Sequence, residues 1–293
     1  LINHQERTAI DVRLLSQIEL NIIRSEAYDK LNGSQHDPQG VQEESRLRIV
    51  LDDTTLELSL WLEEWTTIVS SEPSAHEQAV ALQNLHIQRQ WALMTLHLKA
   101  IASTGIENIA LMTEFQQDSV RKAKEAAAQH LHHILETAVS SHTDHTQESP
   151  YLSSFKWTLD YVWAKCAFSV LLVLKLAILL RDPVLSIMLL LRDAHRLLEE
   201  LKRVTVGHIA YFQILQTSIE KCEAALREYV SQQTTLSGPD AESASLETAR
   251  AAEDEFQGYV PSEFVFEWDF PGLNLKHMPL GWQDLFINID GLF

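Results

Sequence analysis

Apolar residues recur along most of the chain at intervals of three and four, the spacing that gathers them on one side of an α-helix. In Ile10–Leu31 the repeat is carried by Leu14, Ile18, Ile22 and Ile23. In Leu47–Val69 a stripe of Leu47, Val50, Leu51, Leu58, Leu62, Trp65 and Ile68 leaves Asp52, Asp53, Glu57, Glu63 and Glu64 largely on other faces. His76–Ala102 follows with Leu82, Leu85, Leu93, Leu96 and Ile101, and Gly105 marks a break. Asn108–Val139 contains RKAKEAAAQHLHHILETA, whose alanines and straight-chain charged residues favour helix. Phe155–Leu180 is the most apolar stretch. Arg181–Pro183 stops it, with Asp182 suited to an N-cap and Pro183 to the first position of the next helix. That helix, Val184–Val204, and then Gly207–Val230 complete the series.

The pattern predicts an all-α protein, an irregular bundle of about seven or eight helices with an extended acidic C-terminal segment. Polar, turn-rich stretches divide it at Asn32–Gly40, Ser140–Pro150 and Ser231–Glu255. The expected organisation is a helical domain over residues 1–230, an acidic linker over 231–258 and an acidic, aromatic segment over 259–293. FVFEWDF (Phe264–Phe270) alternates like a strand but has no neighbouring run to pair with, so it reads as extended chain. No fixed-period repeat supports a solenoid.

Composition strengthens the helical reading, because 9 glycines and 8 prolines in 293 residues are too few for the turns of an all-β protein. The net charge of −18 repels phosphate backbones and argues against direct nucleic-acid contact by this chain. Half of it sits at one end: Asp240–Phe293 holds eleven acids and two bases, −9 in 54 residues. Tyr161–Leu180 is long enough to span a bilayer, but Lys165 and Lys175 lie inside it, so it reads as a central core helix and no membrane is expected. Cys166 and Cys222 form no CxxC motif and no disulfide framework, which fits a reducing compartment. The sequence starts at Leu1 rather than Met and is expected to be a piece of a longer protein.

Motifs for chemistry are sparse. There is no GxGxxG, no GxxxxGK[ST] and no GxSxG. HLHHILE (His130–Glu136) sets His132 and Glu136 four apart, without HExxH, and reads as histidines on a solvated helix end rather than a metal site. His195, among Arg192, Asp193 and Glu199, reads as surface charge patterning. Asp52 and Asp53 read as the acidic first turn of a helix, and Trp61 and Trp65 as core anchors. LDDTTLE (Leu51–Glu57) lacks the third acid of a DDxxD metal motif, having Leu56 in its place, which leaves a helical metal-dependent enzyme with little support.

The chain's last residues, GWQDLFINIDGLF (Gly281–Phe293), mix acids with large apolar groups. Coiled as a helix, Trp282, Leu285, Phe286 and Ile289 fall at i, i+3, i+4 and i+7, one apolar stripe with Asp284 on another face and Asp290 near the end. WDFPGLNL, with Trp268, Asp269 and Phe270, has the same character. Acids keep such aromatics solvated until they bury in a partner's groove. The stripe either lies on the helical body or is offered to another protein.

LWLEEW (Leu60–Trp65), LHLKAIASTG (Leu96–Gly105), WAKCAFSVLLVLKLAILLRD (Trp163–Asp182) and the Trp–acid–Phe ending occur in an order that resembles the regulatory half of fungal zinc-cluster (Zn2Cys6) transcription factors. The resemblance implies a regulatory domain of a nuclear factor controlling RNA polymerase II transcription, and not an enzyme. It implies coactivator proteins as partners, bound by an activation segment carrying Trp268, Asp269, Phe270, Trp282, Asp284, Leu285, Phe286, Ile289 and Asp290. A small-molecule effector and a homodimer are further expectations. The family's six-cysteine cluster is absent, so neither Cys166 nor Cys222 carries over as a ligand, no cofactor is expected in this chain, and zinc belongs to a DNA-binding part outside it. The alternative is a small-molecule sensor of the same architecture, with an apolar pocket between helices.

Overall fold

The computed structural model describes residues 8–32, 40–72, 74–101, 109–136, 160–180 and 182–204, together with 215–217, 219, 220, 222–224 and 227. Among the described residues there are α1 (Ala9–Asn32), α2 (Gly40–Ser70), α3 (Ala75–Ala100), a 3-10 turn (Ile109–Leu111), α4 (Glu114–Leu135), α5 (Asp160–Leu179) and α6 (Val184–Val204), and no strand. The all-α class read from periodicity is the class observed. The described residues between 215 and 227 are helical as well.

Local chemistry sets several ends. Thr8 and Asp11 cap α1 reciprocally: the Thr8 amide donates to Asp11 Oδ2 at 2.8 Å and the Asp11 amide to Thr8 Oγ1 at 3.3 Å. These bonds from Thr8, backbone first, hold the Asp11 carboxyl below its ordinary value. Ser74 caps α3 by accepting from the Glu77 amide. At α4 the helix starts at Glu114, later than the sequence pattern suggested, because Thr113 and Gln116 form a capping box there. Asp182 does not spend its carboxylate as a cap. It takes the Lys124 ammonium at 2.6 and 2.7 Å, which ties α4 to the α5–α6 turn. Pro183 stands just ahead of α6 and its carbonyl accepts the Ile187 amide.

α1 packs on α2 and α3, α3 packs on α4, and α4 packs on α5 and α6, so α1 and α2 lie on one side of the α3–α4 pair and α5 and α6 against α4 on the other. α3 is shared. One face of it joins the largest apolar cluster through Ile87, Trp91, Met94, Leu98 and Ile101. Another face joins the cluster under α1 and α2 through Leu85 and Ala92. A third, smaller cluster of Ala27, Leu31, Leu51, Leu96, Ala100 and Phe115 closes the end where α1, α2, α3 and α4 meet.

α5 is the enclosed element: Cys166 through Leu174 are all buried, as are Leu176 and Ala177. No helix among the described residues is long and apolar enough to cross a membrane. Lys165, half-buried, sets its ammonium 5.2 Å from the Trp91 ring centre, a cation–π arrangement that lets the stem lie in the core. From the far side Leu215, Ile219 and Cys222, spaced at i, i+4 and i+7, enter the same cluster.

Trp61 and Trp65 anchor α2, each about 2% exposed. The indole of Trp61 donates to the Ser16 carbonyl at 3.0 Å and that of Trp65 to Glu19 Oε2 at 2.6 Å, so both polar edges are satisfied against α1. In α1, however, the apolar repeat points two ways. Ile23 packs inward, whereas Leu14, Ile18 and Ile22 are about half exposed. The inward side is Val12, Ser16, Leu20, Ala27 and Leu31. Asp52 and Asp53 also differ from expectation: α2 begins at Gly40, so both are mid-helix and exposed rather than in a first turn.

Candidate functional sites

Residues Trp268, Asp269, Phe270, Trp282, Asp284, Leu285, Phe286, Ile289 and Asp290 lie outside the described residues, as do the loop Ser140–Pro150, the linker and FVFEWDF. Among the described residues, chemistry-bearing side chains gather in four places.

The first is a buried polar knot where α3, α4 and α5 meet. Ser169 donates its hydroxyl hydrogen to the Cys166 carbonyl at 3.0 Å. Its oxygen therefore accepts from His130 Nδ1, also at 3.0 Å, which assigns the proton to Nδ1 of that ring. The Trp91 indole lies tilted against His130 and edge-on to Phe168, both at 5.7 Å between ring centres. Burial, with the Lys165 charge second, pushes His130 down to about 3, so the ring stays neutral. Burial pushes the Cys166 thiol up to about 12. A histidine that donates to its serine does not deprotonate it, and a thiol this high is no nucleophile at neutral pH. The knot is structural. His130 is therefore not on a solvated helix end, as the HLHH run suggested. A signal was present: His130 lies four residues from both Ala126 and Ile134 and so on α4's apolar stripe.

The second place is the pairing of His86 on α3 with His133 on α4, stacked at 5.0 Å. His133 Nδ1 meets Glu136 Oε2 at 3.2 Å, and His132, tilted against His133 at 5.7 Å between ring centres, is exposed, as a histidine of a solvated helix end would be. Burial, then the His133 charge, lowers His86. Among the described residues no three His, Cys, Asp or Glu side chains are placed to hold a metal ion. Asp52 and Asp53 are exposed on α2.

The third is the contact between α6 and the last helical residues. His195 Nε2 meets Glu223 Oε1 at 2.6 Å, and Glu223 also takes Arg227 at 3.2 Å. His195 thus bridges two helices rather than joining a surface i,i+4 pattern with Glu199. Cys222 beside it is buried and pushed up to about 12, burial first. Both cysteines are free thiols.

The fourth is a cleft between α1, α2 and the start of α3, bounded by Val12, Ser16, Trp61, Val69, Asn84 and Gln88 among others. Enclosed room for water-sized molecules is only about 30 Å³, enough for a water or two rather than for an organic effector.

No family model, curated protein or solved structure matches this chain.

Proposed function

We propose that this chain is the regulatory domain and C-terminal activation segment of a fungal zinc-cluster transcription factor, acting in the nucleus on RNA polymerase II transcription. One observation carries the reading. The sequence carries an acidic, aromatic stretch whose Trp282, Leu285, Phe286 and Ile289 fall on one helical stripe, beyond a polar linker and a helical body. The ordered resemblance of Leu60–Trp65, Leu96–Gly105 and Trp163–Asp182 supports it. So does the net charge of −18, which leaves DNA contact to another part of the protein.

In this reading coactivators take the aromatic side chains of the C-terminal segment. A small-molecule effector would act through the body. Fusion of residues 259–293 to an unrelated DNA-binding domain tests the reading. Reporter activation that falls when Trp282 and Phe286 become alanine is expected. A silent fusion, with full-length activity unchanged by the same substitutions, rejects it.

A further inference from the structure

Seven of the eleven exposed large apolar residues among the described ones lie on the outer side of one helix pair: Ile10, Leu14, Ile18 and Ile22 on α1, and Ile49, Leu56 and Leu60 on α2. Two bonds fix how the helices run past each other. Arg46 donates to the Lys30 carbonyl, and Trp61 donates to the Ser16 carbonyl. α1 and α2 are therefore antiparallel, with Ile18 level with Leu60 and Ile22 level with Leu56. Four-residue spacing on α1 and seven- and four-residue spacing on α2 draw two aliphatic ridges along the outer surface. Each is on the far side of its helix from Val12, Leu20, Leu58 and Trp65, which fill the core beneath.

The ridges sit in negative charge. From Ile49 to Ser70 α2 has five acids, Asp52, Asp53, Glu57, Glu63 and Glu64, and no lysine or arginine. The two helices together hold eleven acids and five bases. That charge selects among occupants. A second copy of this face would set acids against acids. The C-terminal segment 259–293, with five acids against one lysine, would meet the same repulsion. A helix with an apolar stripe and basic flanks gains from both features.

We propose that the outer face of α1 and α2 docks an amphipathic, basic-flanked helix of a partner protein. The aliphatic ridges bury its stripe, and the α2 carboxylates hold its lysines and arginines. This site is separate from the C-terminal segment and does not depend on the function proposed above.

The test uses the whole chain and a labelled synthetic peptide of about 18 residues, with leucines at i, i+3, i+4 and i+7 and lysines between them. A second peptide keeps the leucines and carries glutamates. Anisotropy should show the lysine peptide binding and the glutamate peptide failing to bind. The double change Leu56→Ser and Leu60→Ser should weaken binding about tenfold or more. Ile18→Ser with Ile22→Ser should do the same, while Leu185→Ser with Met188→Ser on α6 leaves affinity unchanged. All six positions are exposed, so an unaltered thermal melt by circular dichroism verifies that each variant folds. Equal weakening by the α6 pair, or none by the α2 pair, overturns the proposal as charge attraction without a site. A dimer seen by sedimentation that disappears in the Leu56→Ser, Leu60→Ser chain gives the face to a second copy instead. Loss of amide protection on α1 and α2 when residues 240–293 are deleted gives it to the C-terminal segment.

Discussion

The two sides of the molecule use aliphatic side chains in opposite ways. In α5 nearly every described side chain from Cys166 to Ala177 is enclosed, with neighbours on all sides. In α1 and α2 a core-facing set is backed by a second, outward set on the same helices. Helical spacing is equally good in both. What differs among the described residues is the covering: α5 is covered by α4, α6 and the residues around 215–222, whereas α1 and α2 pack on each other and on α3 and keep an exposed set on the side away from that core. An apolar stripe therefore states that a face wants burial, and the packing decides whether it gets it.

The largest effect that would break this contrast is at the enclosed side. Leu171→Ala should cost about 2–5 kcal/mol, read as a lower urea midpoint at unchanged slope, because the cavity it leaves has neighbours on every side. A cost below about 1 kcal/mol would mean that α5 is less enclosed than described.

The next effect is in pH. His97, buried on α3, and His130, buried on α4, are held neutral, pushed down mainly by burial to about 4 and about 3. In the unfolded chain each titrates near 6.5, so below that pH the unfolded state binds the extra proton. Their contribution is complete above about 6.5 and is lost as pH falls toward the folded values, at up to about 1.4 kcal/mol per pH unit for each. Urea titrations between pH 7 and pH 5, where most carboxylates stay ionised, should show the slope. Substituting His130 by Leu should remove about half of it.

Smaller is the tie between the middle and far helix pairs. Lys124 and Asp182 are 23% and 14% exposed, so their ion pair is partly shielded from solvent. A double-mutant cycle of Lys124→Met and Asp182→Asn should give a coupling of about 1–2 kcal/mol, above the surface norm. On the other side, Trp65→Phe removes one indole bond to Glu19 and should cost about 1–2 kcal/mol.

The smallest effect sharpens the contrast from below. Ile18→Ala and Leu56→Ala should each shift stability by no more than about 0.5 kcal/mol, since both side chains already meet water. The same pair would lower affinity for a basic amphipathic helix, separating the role of these residues in docking from any role in folding.

Much of the described fold was readable in the chain. The helix class, the break ahead of Val184, the anchoring role of Trp61 and Trp65 and the core position of Cys166–Ala177 all follow from spacing and composition, which are local properties. Other features were masked by their sequence neighbours or set by distant partners. His130 looked like part of a polar run, yet its spacing from Ala126 and Ile134 carries it into the core. Asp182 suited a cap, yet Lys124, 58 residues earlier, claims its carboxylate. His195 had charged neighbours in sequence, yet its partner is Glu223.

Periodicity, charge distribution and end-capping chemistry are written within a few residues of one another, so the sequence alone determined that this protein is helical, acidic and weighted toward an acidic, aromatic end. Which aliphatic ridge is buried, which histidine is held neutral and which carboxylate meets which cation depend on helices far apart in the chain arriving side by side. Burial and pairing are properties of the space between elements, and so only the packed arrangement could assign Ile18 to the surface and His130 to the interior.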